Sequence, residues 1–293
     1  MAALLPLSVV TLMAACGGTG PSGGPGSSSN ASAVKPTQSF PAPAGLLAGG
    51  PPQPNGFMWL LARAKGAATL QELNLTSGRI TTIVPESLTA DSVTQASTGV
   101  VAVGLATATT GALELRNGSS GALVSTVPLG APVRSVAAGS DGSTFYVLNR
   151  NSTSASVTLV NATTGHPSGS VPVPLDTATI AVPPAGADLL ALSPSGKVAE
   201  VDLGTGKVVS EFPVGPNPLS LALSNTGTTL YVLKSVGAGT NVGVISLATQ
   251  RQTTALPAPA NCVGIQVSLD GKDLYDLVGT DSYGNVQVFP LSP

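Results

Sequence analysis

The chain has 293 residues, room for one large domain or two small ones, with a formal net charge of −2 and only 9% charged residues. No basic surplus marks a nucleic-acid interface, and one histidine (His166) with two cysteines (Cys16, Cys262) is too small a ligand set for a metal centre. Ser, Thr, Gly, Val and Pro are abundant, and no apolar pattern of helical period lasts more than about three turns, so the class is all-β.

In chain order, the first sixteen residues, MAALLPLSVVTLMAAC, form an apolar run too short to span a bilayer comfortably and read as a signal peptide. Met13-Ala14-Ala15-Cys16 resembles a bacterial lipobox, which implies a lipid anchor on Cys16 and an extracytoplasmic, membrane-anchored protein of the cell envelope. An ordinary signal peptide with an incidental cysteine is the competing reading. Residues 17–33, GGTGPSGGPGSSSNASA, are too polar and too rich in glycine to pack, and have the composition of a tether. Residues 34–293 then form the folded domain.

That domain repeats. Gly99, Gly142, Gly186, Gly227 and Gly271 are spaced 43, 44, 41 and 44 residues apart, each just before a short apolar strand. Gly78, Gly121, Gly165, Gly206 and then Gln250 keep the same steps, four residues after Asn74, Asn117, Asn161, Asp202 and Ser246. An Asx side chain there can bond the turn backbone, and glycine accepts the positive φ a tight connection needs. The pairs Val84-Pro85, Val127-Pro128, Val171-Pro172, Phe212-Pro213 and Leu256-Pro257 form a third series. Proline lacks a ladder donor, so it suits the end of an edge strand.

Extrapolated backwards, the steps reach Pro41 and Gly56, so the linker-like SFPAPAGLLAGGPPQPNG lies in register with the repeat. Residues 34–40 are then a spare fourth (d) strand, and residues 45–52 the first (a) strand of the next unit. At the other end, NVQVFPLSP, residues 285–293, aligns with third (c) strands, and a d strand is missing. The expected fold is a β-propeller of six four-stranded blades, closed by the N-terminal strand, which pairs the otherwise exposed edge. A stacked solenoid is the rival; it would need capping repeats, and none is visible.

SDGSTFYVLN (from Ser140), followed by VTLVNATTG and VPVP, resembles the YVTN-type β-propeller repeat, as do SNTGTTLYVL (from Ser224) and SLDGKDLYDL (from Ser268). The resemblance implies a propeller, commonly extracytoplasmic. It implies no single activity and carries no catalytic residues over. Propellers of the WD type use recurring Trp and His, and this chain has one of each.

Propeller sites sit where the d–a and b–c loops meet. The b–c loops are expected near residues 63–67, 105–111, 149–156, 193–197, 234–240 and 279–284. They supply the candidate ligand-binding residues Arg63, Lys65, Asn149, Arg150, Lys234, Asp281 and Tyr283. The mix is cationic and suits an anionic group; scattered solubilising charge is the plain alternative. His166 falls in a c–d turn on the opposite face, Asp270 in a turn, and Cys262 reads as a small buried thiol. No catalytic residue, metal site or cofactor is assigned. The functional expectation is a tethered binding or scaffold module, monomeric, with an unknown protein, peptide or glycan ligand and no nucleic-acid partner. The alternative is an extracytoplasmic hydrolase or lyase of the lactonase kind at the same channel mouth.

Overall fold

The computed structural model describes residues 35–87 and 89–291. The leader with Cys16 and the tether of residues 17–33 lie outside the described residues. The described chain opens on β1 (Gln38–Ala42) and continues through four-stranded antiparallel sheets. Blade 1 holds β2 (Leu46–Gly49), β3 (Phe57–Ala64), β4 (Ala67–Asn74) and β5 (Arg79–Glu86). Blade 2 holds β6 (Ala90–Gln95), β7 (Val100–Ala106), β8 (Gly111–Asn117) and β9 (Leu123–Leu129). Blade 3 holds β10 (Val133–Ala138), β11 (Thr144–Arg150), β12 (Ala155–Asn161) and β13 (Pro167–Pro172). Blade 4 holds β14 (Thr179–Ala181), β15 (Asp188–Ser193), β16 (Lys197–Asp202) and β17 (Val208–Pro213). Blade 5 holds β18 (Pro218–Leu223), β19 (Thr229–Val236), β20 (Gly239–Ser246) and β21 (Arg251–Ala258). Blade 6 holds β22 (Cys262–Val267), β23 (Asp273–Gly279) and β24 (Gly284–Pro290), and its fourth strand is β1.

The a strands β2, β6, β10, β14, β18 and β22 contact one another in an unbroken ring. The fold is a six-bladed β-propeller. Closure is antiparallel, with Gln38 opposite Val288 and Ala42 opposite Gly284. The closing strand, Gln38–Ala42, starts four residues later and ends two residues later than the expected 34–40. Pro41 is tolerated inside it because β1 is an outer strand, whose free edge needs no donor. The a strand of blade 1 is shorter than the expected 45–52: it ends at Gly49, ahead of Pro51, Pro52 and Pro54.

The recurring residues explain the joints between blades. The side-chain oxygens of Asn74, Asn117, Asn161 and Asp202 each accept a hydrogen bond from a backbone N–H inside the next three residues, at 2.6–3.0 Å. The glycines that follow sit at φ +69 to +70°, and Gln250 takes the same left-handed place at +54°. Each such turn lies over the outer strand of the preceding blade. A methyl group on Gly78 would meet Phe40, on Gly121 it would meet Val84, and on Gly206 Pro172 and Val171. So the apolar residue before each outer-strand proline is the seat for the next blade's turn, and Phe40-Pro41 is the first of that series.

The hydrophobic core is correspondingly divided into six clusters, one per joint. Trp59, fully buried between blades 1 and 2, donates from Nε1 to Gly118 O at 3.2 Å, which satisfies the indole polar group. Burying apolar side chains of this size stabilises each joint by roughly 1.5–3 kcal/mol per residue.

Candidate functional site

The six a strands surround a central cavity of about 410 Å³. In five blades the a strand carries a bulge after its first residue, between Leu46 and Ala48, Ala90 and Ser92, Val133 and Ser135, Pro218 and Ser220, and Cys262 and Gly264. A bulge leaves one residue out of the ladder and re-aims it. Here those residues are Leu47, Asp91, Arg134, Leu219 and Val263, and together with Ala178 of blade 4 they line the cavity beside the d–a loops. The mouth is therefore charged on blades 2 and 3 and apolar elsewhere.

One residue deeper comes a collar of hydroxyls from four consecutive blades: Ser92, Ser135, Thr179 and Ser220, with Ala48 and Gly264 completing the circle. Ser135 and Thr179 share a hydrogen bond of 3.1 Å across the joint of blades 3 and 4. The Ser92 hydroxyl is buried without a partner among the described residues. Below the collar the lining turns apolar with Val93, Val136, Ile180, Leu221 and Ile265, while Gln266 bridges to Gly49 O at 2.7 Å.

The residues expected from the b–c loops lie on the expected face but outside this cavity. Arg63 Nη2 donates to Ala90 O at 2.6 Å and pairs with Asp91 Oδ1 at 3.1 Å. Arg150 Nη1 makes the matching contact with Thr177 O, at 3.0 Å. Ala90 and Thr177 occupy the same place two repeats apart, so the two arginines are equivalent struts, each reaching from a b strand to the start of the next blade. Lys234 is buried and donates to Val214 O (3.1 Å) and Gln252 Oε1 (2.7 Å); burial lowers its pKa. Asn149 is buried and donates to Thr158 Oγ1 at 2.6 Å. Lys65, Asp281 and Tyr283 are exposed in b–c turns of blades 1 and 6. The seven do not converge on one point.

A second, smaller cleft of about 130 Å³ lies on blade 4, where Ser193 hydrogen-bonds both Asp176 and Ser195. Beside it Lys197 and Glu211 stand 3.9 Å apart on largely exposed side chains. His166 lies exposed in the c–d turn of blade 3, as its position in the repeat implies, and Asp270 accepts from Lys272 N within its turn.

Two ionic features escaped the sequence reading. Arg116 is buried between Glu86 and Glu114: Nη2 bonds Glu114 Oε2 at 2.6 Å, and Nε lies 2.7 Å from Glu86 Oε1 at an angle that makes an ion pair rather than a hydrogen bond. Burial raises the Glu86 pKa against the pull of Arg116. The other is Asp276, fully buried in β23 with neither carboxylate oxygen hydrogen-bonded among the described residues, its pKa pushed up to about 7 by burial. Cys262, also buried, has its thiol pKa raised chiefly by burial and secondarily by Asp276.

No family model matches the chain, and no curated protein sequence matches it. Its shape is widely shared: 1660 solved chains match, so the likeness identifies an architecture rather than an activity. One is Kuenenia stuttgartiensis hydrazine synthase, with a TM-score of 0.63 and 15% identity over 84% of this chain and 76% of that one. At that identity the comparison supports the propeller fold alone.

Proposed function

We propose that this protein is an extracytoplasmic binding module, tethered to the cell envelope through Cys16, whose ligand enters the channel mouth between the d–a loops. The observation that carries this reading is the dispersal of the titratable groups. Arg63, Arg150 and Lys234 each hold a backbone carbonyl at a different joint, and Asp91 is engaged by Arg63. Acid–base catalysis needs a titratable group within hydrogen-bond reach of the reacting atom and a partner that sets its protonation. The cavity instead offers hydroxyls, backbone edges, the Arg134 guanidinium and the Asp91 carboxylate already paired with Arg63, groups that suit holding a ligand better than moving protons. The YVTN-like repeats and the lipobox-like Met13–Cys16 segment support the extracytoplasmic, anchored setting.

Two measurements test the proposal. Cys16→Ser is expected to release the protein from the membrane fraction of an expressing bacterium; unchanged partitioning would count against the anchor. The chain is expected to show no turnover in an esterase, lactonase, glycosidase and dehydrogenase panel, run with and without divalent metals. Robust turnover abolished by a single substitution at the channel mouth would replace the binding reading with an enzymatic one.

A further inference from the structure

The geometry points to a hydroxylated monocarboxylate, of the sugar-acid class, as the ligand of the channel mouth; this deepens the binding reading above and rests on it. Arg134 is the anchor for the charge. It projects from the bulge of β10 into the cavity mouth, is exposed, and makes no ion pair among the described residues. Its neighbour Asp91 is already compensated by Arg63 at 3.1 Å, so the mouth presents one uncommitted positive charge. A guanidinium takes a carboxylate bidentately through two parallel N–H donors. A dianion such as a phosphate monoester would set its second charge against Asp91 with no further cation to meet it.

The rest of the ligand meets the hydroxyl collar. A serine or threonine hydroxyl both donates and accepts, which matches the hydroxyls of a polyol one for one. Ser135 and Thr179 present a bonded pair, with Ser135 Oγ also accepting from Ile180 N, and Ser220 has no partner among the described residues, whereas the Ser92 hydroxyl is turned away, buried against Gly104. The volume of about 410 Å³ lies within the usual range for a small-molecule site and accommodates a single monosaccharide acid.

The test uses the full chain in a detergent without a sugar headgroup, with D-glucuronate, D-glucose and hexanoate as probes, followed by titration calorimetry or saturation-transfer NMR. Glucuronate is expected to bind at least about tenfold more tightly than either glucose or hexanoate, since each lacks one half of the recognition. Arg134→Gln, at an exposed position, should leave the melting temperature unchanged and bring glucuronate down to the level of glucose. Ser135→Ala combined with Ser220→Ala should weaken both sugars by a few-fold and leave hexanoate unchanged. Glucuronate binding that survives Arg134→Gln, hexanoate binding as tightly as glucuronate, or no glucuronate binding at about 20 mM, well above weak millimolar affinity, would each overturn the assignment. If another anion then binds in an Arg134-dependent way, the ligand class is wrong while the binding module stands. Turnover in the enzyme panel would defeat the binding reading itself.

Discussion

Asp276→Val should stabilise the propeller, and by more at pH 8 than at pH 5. At this point in the repeat the b strand pairs with the apolar middle of the a strand. The corresponding residues in blades 1–5 are Leu60, Val103, Val147, Ala191 and Val232. In blade 6 the residue opposite Ile265 is Asp276, fully buried with neither carboxylate oxygen hydrogen-bonded among the described residues. Burial disfavours the charged form and raises its pKa from 3.8 to about 7. The native state therefore holds a proton the unfolded chain has lost, and stability falls as pH rises from about 4 to about 7, then levels off. Over the whole window, at about 1.36 kcal/mol per pH unit, the loss is on the order of 4 kcal/mol, of which about 2–3 kcal/mol falls between pH 5 and pH 8. Cys262, the titratable neighbour in the same joint, has its pKa raised and stays protonated through that range. Urea denaturation of parent and variant at both pH values separates this effect from every other titration, which cancels in the comparison. With a slope of about 3 kcal/mol/M, the gap in midpoints should widen by about 1 M from pH 5 to pH 8. A gap of equal size at the two pH values would refute the reasoning.

The remaining expectations concern how the ring is held. Removing residues 1–33 should leave the melting temperature unchanged, whereas removing residues 1–44 deletes β1, exposes the edge of β24 and should lower it or cause aggregation; equal stability of the two would exclude closure by strand exchange. Gly121→Ala should cost about 3 kcal/mol, because its methyl would lie 2.4 Å from Val84 in a left-handed backbone, while Gly66→Ala, with nothing within 4 Å, should cost only the backbone part of about 1–2 kcal/mol. Thermal denaturation of the pair reads that difference, and equal losses would mean the turn does not seat on blade 1 as described. Arg150→Met should cost about 1–3 kcal/mol by leaving Thr177 O without its charged donor, and an unchanged urea midpoint would remove the strut from the account.

The architecture was legible because it is written as spacing. Turn glycines, Asx residues and apolar-proline pairs recur at 41–44 residues, and each has one geometric task per blade. That is why Phe40-Pro41, embedded in an apparent linker, could be placed in the ring at all. Strand limits were less legible, since the repeat spacing carries the first a strand on to residue 52 whereas it ends at Gly49, ahead of Pro51 and Pro52. The channel mouth is expected from the fold, but its lining residues are not the expected loop residues, because the bulge turns strand residues into the mouth. Asp91 and Arg134 stand in the repeat positions of Leu47, Ala178, Leu219 and Val263, so reading the repeats column by column would have singled them out. The same comparison isolates Asp276 among five apolar counterparts. Arg116 with Glu86 and Glu114 was invisible to it, because an ion pair across a joint depends on blade twist and not on spacing.

Closure of blade 6 by β1 also means that the two ends of the described chain lie in one sheet. Between β24, ending at Pro290, and β1, starting at Gln38, stand only Leu291 on one side and Lys35, Pro36 and Thr37 on the other. Fused directly, these would make a connection of the same length as the turn Leu75–Gly78 between β4 and β5. The ring thus has a seam but no structural beginning. A circular permutant that joins Leu291 to Lys35 and opens the loop between β5 and β6 would keep every ladder, and would move the chain ends to a d–a loop beside the channel mouth.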